Sequence, residues 1–189
     1  MKVLVTTTWG YGHVFPVVPI ARALAAAGHQ VLWATHEPAV PLVQAAGLAT
    51  RYVGLDAVGV AELAQRNHQQ VGALLPQDRA AHAFPTMFGA GATAPMVAGL
   101  LPCAQDFEPD LIVHENAELA GPLVAALLGV PCVTHSFGGA VPPAFIAAAG
   151  ERLRELWAQH GLEVASYAGC FRDGYLDLCP PAVQTVPVD

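Results

Sequence analysis

Val3, Leu4 and Val5 form a short apolar run closed by Thr6, Thr7 and Thr8, the pattern of a buried strand in a parallel sheet. From Pro16 to Ala27, the apolar positions Val17, Ile20, Ala21, Leu24 and Ala27 fall roughly on one helical face, and Gly28 stops the helix. Gln30 to Thr35 reads as a second strand, Ala39 to Ala46 as a short helix closed by Gly47, and Leu48 to Val53 as a third strand. This β-α-β-α-β order with glycine-marked links predicts right-handed crossovers and a parallel sheet flanked by helices. The fold class is therefore α/β, three-layer and doubly wound, of Rossmann-like type.

The rhythm is lost between Gly54 and Gly99. A helix is predicted around Val60 to Leu75, but His82 to Ala98 mixes Phe84, Met87 and Phe88 with Pro85, Gly89, Gly91 and Pro95. Two readings stand for that stretch: a connector that closes the core, or a mobile wall over a pocket for a greasy ligand. Periodicity returns with a helix at Leu100 to Phe107 and a buried strand at Asp110 to His114. A helix over Leu119 to Leu128, a strand over Val130 to Ser136, a helix over Pro143 to Gln159 and a short strand over Tyr175 to Cys179 follow. Residues 1–179 thus form one predicted domain. Residues 180–189, with Pro180, Pro181 and Pro187, read as an extended linker toward a further domain.

The 189 residues are 54% hydrophobic and 12% charged, enough apolar length for a sizeable core and too much for disorder. So little charge leaves much of the surface nearly neutral, as on a face that a partner covers. The net charge is −7, Lys2 is the only lysine and no basic stripe exists, which speaks against nucleic acid as a partner. The N-terminus lacks the pattern of a secretory signal. The longest apolar run, Leu119 to Val133, is interrupted by Gly121, Pro122, Gly129 and Pro131 and is too short to span a bilayer. Cys103, Cys132, Cys170 and Cys179 show no CxxC spacing. They read as buried free thiols of a cytoplasmic protein rather than as a metal site.

The candidate chemistry sits after the first strand, where Gly10 and Gly12 permit a sharp turn, Pro16 suits the first turn of a helix, and His13 lies between them. In a sheet ordered 3-2-1-4-5, strands one and four are neighbours at the point where the winding reverses, and ligands bind outside that edge. His13 follows strand one and Glu115 follows strand four, so both face one crevice. A carboxylate beside an imidazole accepts from one ring N–H and leaves the other nitrogen free to take a proton, as needed to deprotonate a hydroxyl. The competing readings are a turn histidine bonded to backbone carbonyls and an acid that caps the next helix, a task for which Asn116 and Glu118 are also available. His114 reads as a satisfied core histidine and His135 similarly, nearer the edge. His29, His36, His68, His82 and His160 have no partner at metal-ligand spacing. A dinucleotide fingerprint competes for the first turn, with Glu37 as the acid after strand two. Phe15, however, stands where the third glycine of G-x-G-x-x-G is needed.

Gly12-His13-Val14-Phe15-Pro16, with Ala25-Ala26-Ala27-Gly28-His29-Gln30-Val31 closing the first helix, resembles the start of family 1 glycosyltransferases of the GT-B fold. The nearest flavour is the bacterial branch acting on macrolides and other natural products. Pro109-Asp110-Leu111-Ile112-Val113-His114-Glu115, followed by Leu127-Leu128-Gly129-Val130-Pro131, is similar to a second landmark of that family. The resemblance implies an inverting transfer of a sugar from a nucleotide sugar to a hydroxyl, with His13 abstracting the acceptor proton. Its partner in the family is often an aspartate, and Glu115 at that position is one methylene longer. The resemblance further implies that this half of the architecture forms the pocket for a hydrophobic small-molecule acceptor, with Gly12, Phe84, Met87, Phe88, Asn116 and Phe137 as contributors. A second domain, beyond the linker, binds most of the nucleotide sugar. No cofactor and no metal enter that scheme, and this chain alone is expected not to turn over. Outside the resemblance, two alternatives remain: a nucleotide-binding oxidoreductase module, and a non-catalytic partner of a complete transferase.

Overall fold

The computed structural model describes residues 1–186. Six parallel strands, β1 (Lys2–Thr7), β2 (Gln30–Thr35), β3 (Ala49–Tyr52), β4 (Leu111–Glu115), β5 (Cys132–His135) and β6 (Tyr175–Leu176), form one sheet. Their order is β3-β2-β1-β4-β5-β6. The predicted order 3-2-1-4-5 is thus present, with the short sixth strand added at the β5 edge. β1 and β4 pair from Val3 with Leu111 to Thr6 with His114, so the residues just after each strand emerge side by side.

Alternation along β1 divides the core in two. Val3 and Val5, with Trp33 and Val113, pack against α1 (Tyr11–Val14), α2 (Val18–Ala26) and α3 (Val40–Ala45). Leu4, Ala34, Ile112 and Cys132 face the opposite layer, built from α6 (Thr93–Phe107), α7 (Ala120–Leu128) and α8 (Pro143–Gln159). Successive side chains on a strand point to opposite faces, so one continuous apolar run serves both cores. The reversal between the two layers falls at the β1/β4 pair, the switch point of a doubly wound sheet.

The largest difference from the sequence reading is the stretch between Gly54 and Gly99, which is helical almost throughout. α4 (Ala57–Gly72) starts three residues before Val60 because the Asp56 carboxylate accepts from the Gly59 N–H at 2.7 Å, satisfying a free donor of the first turn. α5 (Arg79–Phe84) runs into a π-helical segment, Pro85–Ala92, and on into α6. The stretch closes the core, as the connector reading had it, since Phe84, Met96, Val97 and Leu100 are buried in it, but it does so as continuous helix. At the junction of the π segment with α6 the Thr93 hydroxyl donates back to the Phe88 carbonyl at 2.6 Å. Close packing explains why glycines fit a helix here. A Cβ built on Gly89 would lie 3.1 Å from Ala149 Cβ and 3.2 Å from Ala149 Cα in α8. The run Pro76–Phe107 is by length and composition long and apolar enough to cross a membrane. Its buried side chains, including Met96, Val97 and Leu100, belong to the core under the sheet.

Smaller differences follow from prolines. The helix predicted from Pro16 to Ala27 begins only at Val18, as α2, with Pro19 in its first turn; Pro16 lies in the turn that separates it from α1, a helical turn upstream that the pattern did not predict. At the C-terminal end, Pro181–Val183 form a 3₁₀ turn, and Gln184 accepts from the Ala140 N–H at 2.9 Å and donates to Asp177 at 2.7 Å. That part of the predicted linker is tied back to the sheet edge, and Pro187 lies outside the described residues.

Substituting Gly89→Ala forces the π segment off α8 and is expected to lower unfolding stability by about 1–3 kcal/mol, the usual cost of overpacking a close contact. Urea denaturation of the variant against the parent chain measures it.

Candidate active site

β1 ends at Thr7, and the chain turns at Gly10, whose φ of +98° is readily available to glycine. The Gly10 carbonyl then accepts from the N–H groups of His13 and Val14, at 3.2 and 3.1 Å, which starts the single turn of α1. The expectation that both glycines make the turn is corrected here. Gly12 lies inside α1 without a left-handed φ, is exposed, and has open space where a Cβ would stand. His13 is accordingly carried by a helical turn rather than by a loop in front of a helix. Val14 is driven into the core on the far side of that turn.

His13 Nδ1 and Glu115 Oε1 are 2.8 Å apart. An ionised carboxylate only accepts, so Nδ1–H is the donor and, in the neutral ring, Nε2 keeps the lone pair. The imidazole side chain is 21% exposed and the carboxylate fully buried. Glu115 is held at both oxygens. Oε1 also accepts from the Ala117 N–H at 2.8 Å, while Oε2 faces the Thr8 hydroxyl and N–H at 3.3 and 3.4 Å. Capping of α7 falls to Glu118, which accepts from the N–H groups of Ala120 and Gly121 and from the Thr6 hydroxyl. Burial pushes the Glu118 carboxyl up to about 7 against those hydrogen bonds. With the helix terminus served by Glu118, Glu115 is left to the histidine. Burial lowers the His13 pKa, but the charge of Glu115 and its hydrogen bond outweigh that, so the net shift is upward from 6.5.

Aromatic rings surround the imidazole. Phe137, after β5, lies 4.8 Å away between ring centroids, and Phe88, from the π segment, 5.4 Å. Phe84 packs behind Phe88 at 5.4 Å and is buried in the core. Met87 is half-buried beside Phe88 and has no part in these ring contacts. Asn116 is buried next to Glu115. Its N–H donates to the His135 carbonyl at 3.0 Å, and its Oδ1 has no partner among the described residues.

Two residues without an assigned role in the sequence belong to this neighbourhood. Trp9, half-buried just before Gly10, lies 6.0 Å from Phe88 and 5.0 Å from His36, whose ring meets it at 88°. His36 follows β2 at the same sheet edge and is fully buried. Its Nδ1 accepts from the Leu55 N–H at 2.9 Å, and its Nε2 is unpartnered among the described residues. Burial lowers its pKa to about 4 despite the Glu115 charge, so this ring is neutral at pH 7. His36 follows β2 at the carboxyl edge of the sheet, outside which open α/β sheets bind ligands, and that position is the signal by which it was findable. His114 is the satisfied core histidine expected: it bonds the Glu118 carbonyl and the Thr134 hydroxyl, each at 2.7 Å, and burial lowers its pKa to about 4. Among the described residues no group of three or more His, Cys, Asp or Glu is arranged to hold a metal ion. Cys103, Cys132 and Cys170 are buried and Cys179 partly so, all as free thiols.

Residues 22–166 match the family described as erythromycin biosynthesis protein CIII-like, N-terminal domain. The chain belongs to this family. Among curated relatives, it is 37% identical over its whole length to L-demethylnoviosyl transferase of Streptomyces niveus, covering 48% of that protein. It is 32% identical over 84% of its length to the elloramycin glycosyltransferase ElmGT of Streptomyces olivaceus, covering 41%. Among solved structures, glycosyltransferase SnogD from Streptomyces nogalater superposes with a TM-score of 0.74 at 31% identity, over 97% of this chain and 46% of that one. SsfS6 from Streptomyces sp. SF2575, complexed with thymidine diphosphate, gives 0.75 at 27% identity, over 98% and 51%. The fold of this chain is thus the N-terminal half of the GT-B architecture, and the chain spans about half the length of the curated relatives it matches. The dinucleotide reading of the first turn falls away: Gly10 alone takes a left-handed φ, and the Phe15 side chain points to solvent.

Glu115→Gln removes the charge that raises the His13 pKa and leaves burial to dominate, so the titration of His13 should move from above its ordinary 6.5 to below it. The linkage reverses with it. In the parent chain, protonated His13 contributes stability that is present below pH 6.5 and lost as pH rises through the raised pKa. In the variant the protonated ring is disfavoured, and that contribution disappears. Proton NMR of the His13 Cε1–H across pH 5–9 measures both midpoints.

Proposed function

We propose that this chain is the acceptor-binding half of an inverting glycosyltransferase that moves a sugar from a nucleotide sugar onto a hydroxyl of a hydrophobic small molecule. The observation that carries the reading is the 2.8 Å contact between His13 Nδ1 and Glu115 Oε1 at the β1/β4 switch point. Nε2 is left as the free nitrogen of a partly exposed ring. In the reaction, Nε2 takes the acceptor hydroxyl proton as the oxygen attacks the anomeric carbon from the face opposite the diphosphate. The C–O bond to the nucleoside diphosphate breaks, and the anomeric configuration inverts. The imidazolium so formed is paired with Glu115, whose carboxylate needs no rearrangement to receive it.

Gly12, Phe84, Met87, Phe88, Asn116 and Phe137 serve the acceptor side in this scheme. Phe88 and Phe137, in contact with the His13 ring, have the strongest geometric support, and exposed Gly12 leaves room for backbone to approach a ligand. The nucleotide sugar belongs mainly to the second domain of the GT-B architecture, which follows the 180–189 linker in this scheme. The thymidine diphosphate complex of SsfS6, a chain about twice as long, supports a nucleotide sugar as donor. In this scheme the acceptor half binds acceptor by itself and needs the second domain for turnover. The scheme calls for no metal and no organic cofactor; the free thiols of Cys103, Cys132, Cys170 and Cys179 are what support a cytoplasmic location.

In the complete enzyme, His13→Ala should lower kcat/KM by about 10²- to 10⁴-fold, the contribution of a positioned base. Retention of more than a third of the parent rate would remove His13 from the mechanism. The anomeric proton coupling of the product, compared with that of the donor, reads out inversion.

A further inference from the structure

Around His13 the aromatic rings form a connected set. His13 touches Phe88 and Phe137, Phe88 touches Trp9, and Trp9 is met edge-to-face by His36. Trp9, Phe88 and Phe137 are each half-buried, and Phe88 and Phe137 lie against the imidazole with Trp9 behind Phe88. Trp9 differs from the other two tryptophans, which are at most 2% exposed and belong to the cores. Its ring is also braced. His36, the side chain against it, is fixed by the Leu55 N–H and closely approached by Gly54, where a Cβ would come within 2.7 Å of its Nδ1. A rigid aromatic surface loses little freedom when it binds, and its quadrupole favours a partner with a π face over a saturated ring of the same area.

We propose that the acceptor is a planar aromatic molecule bearing a hydroxyl, stacked on Trp9, Phe88 and Phe137 so that the hydroxyl meets His13 Nε2, and that Trp9 is a specificity-determining residue for it. The inference rests on the reading of His13 as the base and adds the class of acceptor. A pocket working by apolar burial alone would accept a fused alicyclic alcohol equally well. Here the rings flanking the base make the flat arene the preferred fit.

Naphthol and its saturated counterpart decalinol share a carbon skeleton and a hydroxyl, and the saturated probe is at least as apolar. Calorimetric and NMR titration of this chain should give naphthol an affinity roughly fivefold or more above that of decalinol, the gain expected from two aromatic contacts. Trp9→Leu should bring the ratio close to one, while Trp9→Phe keeps most of it. Phe137→Leu serves as a second variant, and circular dichroism checks that each remains folded. Equal or tighter binding of decalinol, a ratio unmoved in both leucine variants, or no binding of either probe at millimolar concentration would overturn the proposal. The base assignment fails separately. An arene preference together with an indifferent His13→Ala in the complete enzyme would leave an aromatic site and remove the base. A His13-dependent enzyme without arene preference would do the reverse.

Discussion

A single hydrogen bond between side chains 102 positions apart, from His13 to Glu115, is what the rest of the molecule is arranged to hold. It exists because β1 and β4 are paired neighbours, so that the residues following them share one edge. Each partner is positioned by a separate device. Gly10 turns the chain into a one-turn helix that aims the imidazole back over the strand end, and Val14 pins that helix to the core. The carboxylate is clamped by Ala117 on one oxygen and by Thr8 on the other, so its position does not depend on the histidine.

The extra methylene of glutamate, relative to the aspartate common at this position in the resembled family, changes less than its length implies. The backbone after β4 turns at once, and the Ala117 N–H reaches back to the same Oε1 that faces His13. A longer side chain can then be accommodated by curling rather than by displacing the ring. The electrostatic consequence is asymmetric. Glu115 is sealed from water while the His13 side chain is partly open, so the charge that supports a protonated ring is weakly screened. Three nearby histidines, His36, His114 and His135, are all pushed the other way by burial, and His13 alone is raised by its partner.

Much of this was legible in the sequence where local pattern and tertiary outcome agree. The Val3–Val5 run, the glycine-terminated helices and the β-α-β-α-β rhythm were sufficient for the strand order, and from the order the meeting of His13 and Glu115 follows. The helix Pro143–Gln159 was visible to the residue because a proline opens it and an apolar face runs its length. The Pro85–Ala92 segment was not legible. Its glycines and prolines carry loop propensity, and only packing against α4 and α8 makes a π-helical path favourable. Gly12 was over-read because two glycines in one turn are indistinguishable until φ is known. Trp9 and His36 were passed over because each is a single residue whose partner is distant in sequence: Phe88 for one, Leu55 for the other.

The central claim is that Glu115 fixes the histidine as the Nδ1–H tautomer and thereby leaves Nε2 unprotonated, as the proposed base must be. Nitrogen-15 NMR of His13, on the deprotonated side of its titration, reads the tautomer directly. The account predicts a protonated Nδ1 and an unprotonated Nε2 in the parent chain. A ring protonated at Nε2, or an even mixture of the two tautomers, would contradict it.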